Sequence, residues 1–471
     1  MLSKIEHCGV LINECSIEGE TRAEDIYPGH PNGTQAGRDT FLLVYATRGF
    51  RGTDDDISTI YQLRRGSYDG PVIKEGVLGK TTTDWEPLED GVKYSRVCGS
   101  PAVFGVPRGA IVDGERAPNE NLFVVRWRQQ ARMLDPETGL LKHVADTTVN
   151  LHLAIDAVIW TQVRLNEAED DIEIVQAPTM LRQKGFSSGV AICEAGPSTM
   201  MHGGPAVPFS DDATQWIELA WFTTVLPAPY KGLGVQDRQM AFSLASILYE
   251  FNPDLGLYEW TRTGAMTGPC YFEGNILRYQ DEWLINARVK PLGDVLPPST
   301  FTSPDDTRGV PIPWWRTRDP FAPLGEPTWP DQPCTGAPIH AFACADGLPR
   351  VVTTDTAEST TLHCREPLHC ITVDPDQGFK MVQRDVVFDV FAAGLPIRRE
   401  SIPSIDMGKI MPHSGGKTGY LLHRTRPTST KDPKRTGHVV NQAEMDVSAI
   451  YYAKLHYDRE YPGMWKFEAS E

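Results

Sequence analysis

Apolar residues in this chain come in short runs, among them "TFLLVYATR", "STIYQLRR", "NLFVVRWRQQAR", "VNLHLAIDAVIWTQVRL", "RVVTTDT", "VVFDVFA", "GYLLHRT" and "AIYYAKLHYD". Most alternate apolar with polar positions or are rich in β-branched and aromatic residues, the pattern of half-buried or buried strands. No long stretch sustains an apolar period of 3.6. One segment, "MAFSLASILYEF" from Met240 to Phe251, reads as a short helix. Many short strands at fairly regular spacing predict an all-β sandwich, barrel or propeller.

The turns between runs narrow this. "SYDG" from Ser67, "SPDDTRG" from Ser303 and "DPDQGF" from Asp374 each follow a β-like run, and "KTTTDWEPL" is a weaker example. An Asp side chain bonds the backbone two residues on and Gly supplies a positive φ, so such a turn fastens a hairpin by itself. Its recurrence predicts repeated four-stranded blades. No composition break marks a linker, so residues 1–471 read as one domain, with a Pro-rich inter-blade excursion at about 291–334.

A formal net charge of −17 opposes nucleic-acid binding, which needs a basic face; the one Lys/Arg-rich run, "TKDPKRTGH", reads as a solvated loop. No apolar stretch approaches the roughly 20 residues that cross a bilayer, and the start lacks a basic region followed by a long apolar one, so no membrane partner and a cytoplasmic location are expected. Nine cysteines, an odd number, fit free thiols better than a disulfide framework. "HCREPLHC" holds two His and two Cys, but their spacing and the alternation of a strand disfavour a zinc site. No metal and no cofactor are expected.

Candidate chemistry starts at "CYFEGNILRYQDEWLINARVK", which reads as a hairpin with Glu273 and Arg288 at the outer ends of its strands. "GTDDDIS" sets Asp54, Asp55 and Asp56 side by side, and adjacent carboxylates raise one another's pKa, so one can hold a proton near neutrality. His202 in "TMMHGG" and His413 in "KIMPHSGG" are titratable loop positions. Trp314 and Trp315, flanked by Arg316 and Arg318, offer a stacking platform for a sugar.

These pieces resemble the sialidases, glycosidases built as six-bladed β-propellers with Asp-containing turns. "FLLVYATRGFRGTDDDISTIYQLRRGSYDG" resembles the blade that leads from an Asp-bearing loop to the first such turn, and "CYFEGNILRYQDEWLINARVK" the Glu hairpin. "PCTGAPIHAFACADGLPRVVTTD" with "REPLHCITVDPDQG" resembles the segment carrying a later Arg, and "SGGKTGYLLHR" the approach to the catalytic Tyr. The resemblance implies an all-β, six-bladed propeller in which one of Asp54, Asp55 and Asp56 is the acid, Glu273 the base and Tyr420 the nucleophile. Arg288 and Arg365 would be two of three arginines on a substrate carboxylate. Where the family has its first Arg, this chain reads "IYPGHP", with Gly29 and His30; Arg38, Arg48 and Arg51 stand nearby.

A phenol activated by Glu273 suits a substrate whose anomeric carbon bears a carboxylate, because it does not repel that group as a carboxylate nucleophile would. Guanidinium groups bind the carboxylate bidentately. The expected function is a retaining exo-glycosidase on a terminal acidic or unusual sugar, with a carbohydrate substrate as partner. His, Tyr and Arg are also the parts of a β-eliminating lyase, and a propeller that only binds glycans or proteins is the third reading.

Overall fold

The computed structural model describes residues 1–13, 26–49, 56–80, 86–87, 93–134, 141–143, 157–185, 199–202, 204–225, 240–268, 271–289, 312–330, 338–354, 366–395, 402–428 and 448–468. Among them the chain is strand and turn, with one 3-10 turn at Pro375–Gln377 and no α-helix.

Six antiparallel sheets follow one another along the chain, and a small three-stranded sheet pairs Ala110–Val112 with Glu115–Arg116 and Lys466–Phe467. The first sheet runs Ile26–Gln35, Thr40–Gly49, Asp56–Arg65, Val72–Lys80. The main strands of the second are Lys93–Val106, Leu122–Leu134, Ala157–Leu165 and Ile172–Met180, and those of the third are Thr199–His202, Gln215–Val225, Met240–Asn252 and Leu257–Thr263. The fourth holds Tyr271–Tyr279, Glu282–Val289 and Trp314–Thr317; the fifth, His340–Ala343, Pro349–Thr354, Leu368–Asp374 and Lys380–Phe388. In the sixth, Ile402–Ile410, Gly416–Thr428 and Ala449–Tyr461 are completed by Leu2–Ile12, so the first strand in sequence closes the sheet of the last three long ones. Each sheet contacts the next, and the sixth contacts the first. Apolar side chains fill the spaces between neighbouring sheets, as where Leu219, Leu244 and Trp221 of the third meet Phe272, Ile276 and Trp315 of the fourth.

Two expectations are corrected here. The segment expected as a helix, Met240 to Phe251, is a strand, paired on one side with Gln215–Val225 and on the other with Leu257–Thr263. Residues from Ser243 to Tyr249 are buried on both faces, and a strand covered on both sides shows no period of two to read. The Pro-rich excursion also contributes structure: Trp314–Thr317, inside it, is the third strand of the fourth sheet.

The turn from third to fourth strand is fastened by a polar side chain in four sheets. In the first, Ser67 Oγ bonds Asp69 at 2.6 Å and the Gly70 amide reaches the Ser67 carbonyl. A Cβ on Gly70 would lie 1.9 Å from the Arg65 carbonyl oxygen, so only glycine closes this turn. Asn166 and Asn252 play the part of Ser67 in the second and third sheets, and Asp374 in the fifth accepts from the Asp376 amide at 2.9 Å. The turn beginning at Ser303 and most of "KTTTDWEPL" lie outside the described residues.

Candidate active site

The first strands of four sheets carry the same irregularity. Between Gly29 and Asn32, Gly99 and Ala102, Phe272 and Asn275, and Asp406 and Lys409, three steps along the first strand face two steps along the second. Each is a β-bulge, a device that re-aims a side chain. In three of them a residue other than glycine takes a left-handed backbone: His30 at φ 53°, Ser100 at 50° and Glu273 at 47°. Such conformations are held only where surrounding structure enforces them, and they gather at functional sites.

Two of them meet, and the third pairs across its hairpin. His30 Nε2 lies 2.8 Å from a guanidinium nitrogen of Arg424, and its Nδ1 lies 3.1 Å from Ser100 Oγ. Arginine only donates, so Nε2 accepts and His30 is neutral, with its proton on Nδ1 toward Ser100. Glu273 holds Arg288 at 2.7 Å across its hairpin, and the guanidinium of Arg288 lies over the Phe272 ring. Both side chains of this pair keep some exposure, at 27% and 19%.

Behind that pair lies a more buried layer. Arg126 and Glu218, both fully buried, form an ion pair between the second and third sheets, and the Tyr249 hydroxyl donates to Glu218 at 2.6 Å. Arg126 also donates to the Gly204 carbonyl, while the Gly204 amide bonds the Gly274 carbonyl at 2.8 Å, tying the third sheet to the fourth beside Glu273. A Cβ on Gly204 would fall 2.4 Å from Asn275 Oδ1, so this approach requires glycine. Lys409 Nζ is 2.8 Å from His340 Nδ1, and both are buried. Burial brings the Lys409 ammonium down to about 7, helped by the charge of Arg126 and opposed by that of Glu273. Burial, then Lys409 and Arg288, hold His340 well below the usual imidazole range, so it is neutral. The cluster around Lys409 thus draws residues from five sheets, the second to the sixth, with Glu273 and Arg288 as its more open edge.

Beside it lies a cavity of about 440 Å³. Its wall is formed by the residues that follow the bulges along the first strands, including Thr34, Phe104, Leu277 and Met411, and Lys409 lines it as well. His413 belongs to this wall, edge-on to Tyr457 at 5.6 Å, with its imidazole pKa lowered by burial.

The other expected site residues fall as follows. Tyr420 does not meet Glu273: its hydroxyl donates to Asp69 at 2.9 Å, beside Lys454 and Tyr68. Burial, with Asp69 beside it, raises the phenol to about 12. Burial also opposes the charge on Asp69, but bonds from Lys454, Ser67 and Tyr420 outweigh it and bring that carboxyl down to about 2. Trp314 and Trp315 form no exposed platform. Trp314 stacks on Phe379 at 4.7 Å and Trp315 packs edge-on to Tyr271 at 4.9 Å, both buried, because neighbouring residues of a strand face opposite sides and here both sides are covered. Asp54, Asp55, Arg51 and Arg365 lie outside the described residues; Asp56, Arg48 and His202 are placed in strands, with side chains outside the description. A second phenol, that of Tyr271, stands two residues before Glu273 in the same strand. Among the described residues no cluster of His, Cys, Asp and Glu is arranged to hold a metal.

Ser100, Arg126, Glu218, His340, Lys409 and Arg424 were not singled out from the sequence. The available signals were lone charges inside apolar runs, "FVVRW", "WIELAW" and "LLHRT", and a polar residue before Pro or Gly in mid-strand, "HP", "SP" and "EG".

No family model matches the sequence, and no curated protein does. Among solved structures, the chain is similar to Trypanosoma rangeli sialidase in complex with the inhibitor DANA, with a TM-score of 0.51 at 10% identity over 94% of this chain and 57% of that one. It is similar to the Hadza microbial sialidase Hz136, with a TM-score of 0.51 at 11% identity over 91% and 66%. A Dyadobacter fermentans protein of unknown function matches with a TM-score of 0.50 at 10% identity over 96% of this chain and 99% of that chain. The chain spans a little over half the length of the Trypanosoma structures it matches. At these identities the likeness establishes a sialidase-like, all-β fold.

Proposed function

We propose that the six sheets are the blades of a β-propeller, and that the chain hydrolyses the glycosidic bond of a terminal sugar bearing a carboxylate. The observation that carries this reading is the set of left-handed bulge residues, in which His30 is bonded to Arg424 and Ser100, and Glu273 to Arg288. A sugar entering at the Glu273–Arg288 edge meets a guanidinium suited to bidentate pairing with its carboxylate. Taking Arg288 from Glu273 leaves the Glu273 carboxylate free to accept a proton, so binding of an acidic substrate prepares the base. The acid that protonates the leaving oxygen comes from Asp54, Asp55 or Asp56, and Arg48, Arg51, Arg365 and His202 are further candidates for binding. Tyr420 is engaged by Asp69, so in this reading Glu273 deprotonates an attacking water, or the hydroxyl of Tyr271 if that side chain turns to it. Attack by water gives an inverted product; attack by a phenol gives a retained one.

The engagement of Tyr420 by Asp69 also favours a second reading, in which the centre binds an acidic glycan and does not turn it over. A panel of nitrophenyl glycosides, with and without a carboxylate on the sugar, separates the two. Release of nitrophenol from acidic glycosides alone, lost in Glu273→Gln, supports hydrolysis. No release from any, with binding retained, supports the binding reading, and an unsaturated product absorbing in the near ultraviolet would identify a lyase.

A further inference from the structure

Lys409 and the cavity beside it are not used by the hydrolysis proposed above, and they suggest a chemistry of their own. The Lys409 side chain is almost wholly buried, and among the described residues it has no carboxylate in salt-bridge contact. Among the described residues its amine has one hydrogen-bond partner, His340 Nδ1, and His340 Nε2 has none. The cavity that Lys409 lines is walled by Val103, Phe104, Leu277, Phe342 and Met411, and its volume lies in the range of small-molecule sites. An amine desolvated by burial, near another cation and bonded to a neutral base, is the arrangement that makes lysine a nucleophile toward carbonyl carbon.

We propose that Lys409 is a nucleophilic amine that captures an apolar aldehyde or ketone in this cavity as an imine.

In that step the Nζ lone pair attacks the carbonyl carbon, and one of the two amine protons passes through His340 Nδ1 to the carbonyl oxygen, giving the carbinolamine. The second amine proton passes by the same route to the carbinolamine hydroxyl, which leaves as water as the C=N bond forms, so carbonyl compound and amine give imine and one water. The lowered pKa of Lys409 leaves much of its amine unprotonated at pH 7. An ordinary lysine with a pKa near 10.4 has on the order of one free amine in a thousand there. The charged and titratable groups acting on Lys409 come from three sheets besides its own: Arg126 lowers its affinity for a proton, Glu273 raises it, and His340 accepts its hydrogen bond.

The full chain is incubated with benzaldehyde and sodium cyanoborohydride, which fixes the imine as a benzylamine, and labelled lysines are read by peptide mass spectrometry. Lys409 should be labelled at least about tenfold faster at pH 7 than the exposed Lys4, Lys74 and Lys184, with a rate that levels off above pH 7 while theirs keep climbing. Ala343 is exposed and lines the cavity, so Ala343→Trp should slow labelling of Lys409 several-fold and leave the exposed lysines unchanged. Labelling of Lys409 no faster than the exposed lysines overturns the proposal, and so does a rate insensitive to Ala343→Trp in a folded variant. Neither readout depends on whether an acidic sugar binds at Arg288, so failure here is distinct from failure of the glycosidase reading.

Discussion

If the left-handed backbone at Glu273 is strain held for function, the cost of removing its side chain depends on what replaces it. Glu273→Ala and Glu273→Gly both delete the carboxylate and its bond to Arg288, so that loss is common to the two. The pair is about a quarter exposed at Glu273, so its contribution is modest, about 0.5–1 kcal/mol after solvent screening. The variants differ in the backbone. An L-residue at φ 47° costs roughly 1–2 kcal/mol that glycine does not incur, whereas glycine in an ordinary strand is about 0.5–1 kcal/mol worse than alanine because of its freedom in the unfolded chain. The Gly variant should therefore be the more stable by about 1 kcal/mol, and close to the parent protein. At Glu282, which pairs with Arg316 and has no positive φ, the order should reverse, with Ala the more stable. Urea unfolding followed by tryptophan fluorescence measures all four variants. An Ala variant at 273 as stable as the Gly variant would refute the strain argument, and with it the reading of the bulges as functional devices.

Other outcomes follow from the same geometry. Arg126→Met leaves Glu218 buried without its cation and should lower stability by about 3–5 kcal/mol, while Arg126→Met with Glu218→Leu should recover most of that, by the same urea titration. Tyr420→Phe removes a bond to the Asp69 carboxylate and should lower stability by about 1.5–3 kcal/mol while leaving hydrolysis of an acidic glycoside largely intact; loss of nearly all turnover would restore Tyr420 as the nucleophile. Trp314→Ala empties a stacked core position and should lower stability by about 3–5 kcal/mol. Lys409 is lowered in the folded chain to about 7 from an ordinary value near 10.5, so between those values the unfolded chain binds more protons and stability rises with pH. Compared with Lys409→Met, the parent should gain up to about 1.4 kcal/mol per pH unit across that window; a parallel pair of curves would contradict it.

The sequence carried the strand content, the fastening turns at Ser67 and Asp374 and the Glu273–Arg288 hairpin, because each is local: alternation, an Asp or Ser with a nearby Gly, two charges fifteen residues apart on adjacent strands. It misled where locality fails. Met240 to Phe251 lost its alternation because partners cover both faces. Trp314 and Trp315 looked available because nothing in "PIPWWRTRDP" shows that Phe379 and Tyr271 close over them. Arg126 and Glu218 are 92 residues apart and Lys409 and His340 are 69 apart, so no window of sequence predicts that they meet. His30 stands where the family resemblance called for an arginine, and the guanidinium it bonds is that of Arg424, from the far end of the chain.

Whether the Glu273–Arg288 edge is a site for a carboxylate-bearing sugar can be measured by calorimetric titration with sialic and glucuronic acids and with glucose. At least one of the acids should bind and glucose should not, and Arg288→Met should weaken the acid by at least about tenfold, as loss of a charge-assisted hydrogen bond requires. Equal binding of acid and neutral sugar, or an acid bound as tightly by Arg288→Met as by the parent, would contradict that reading.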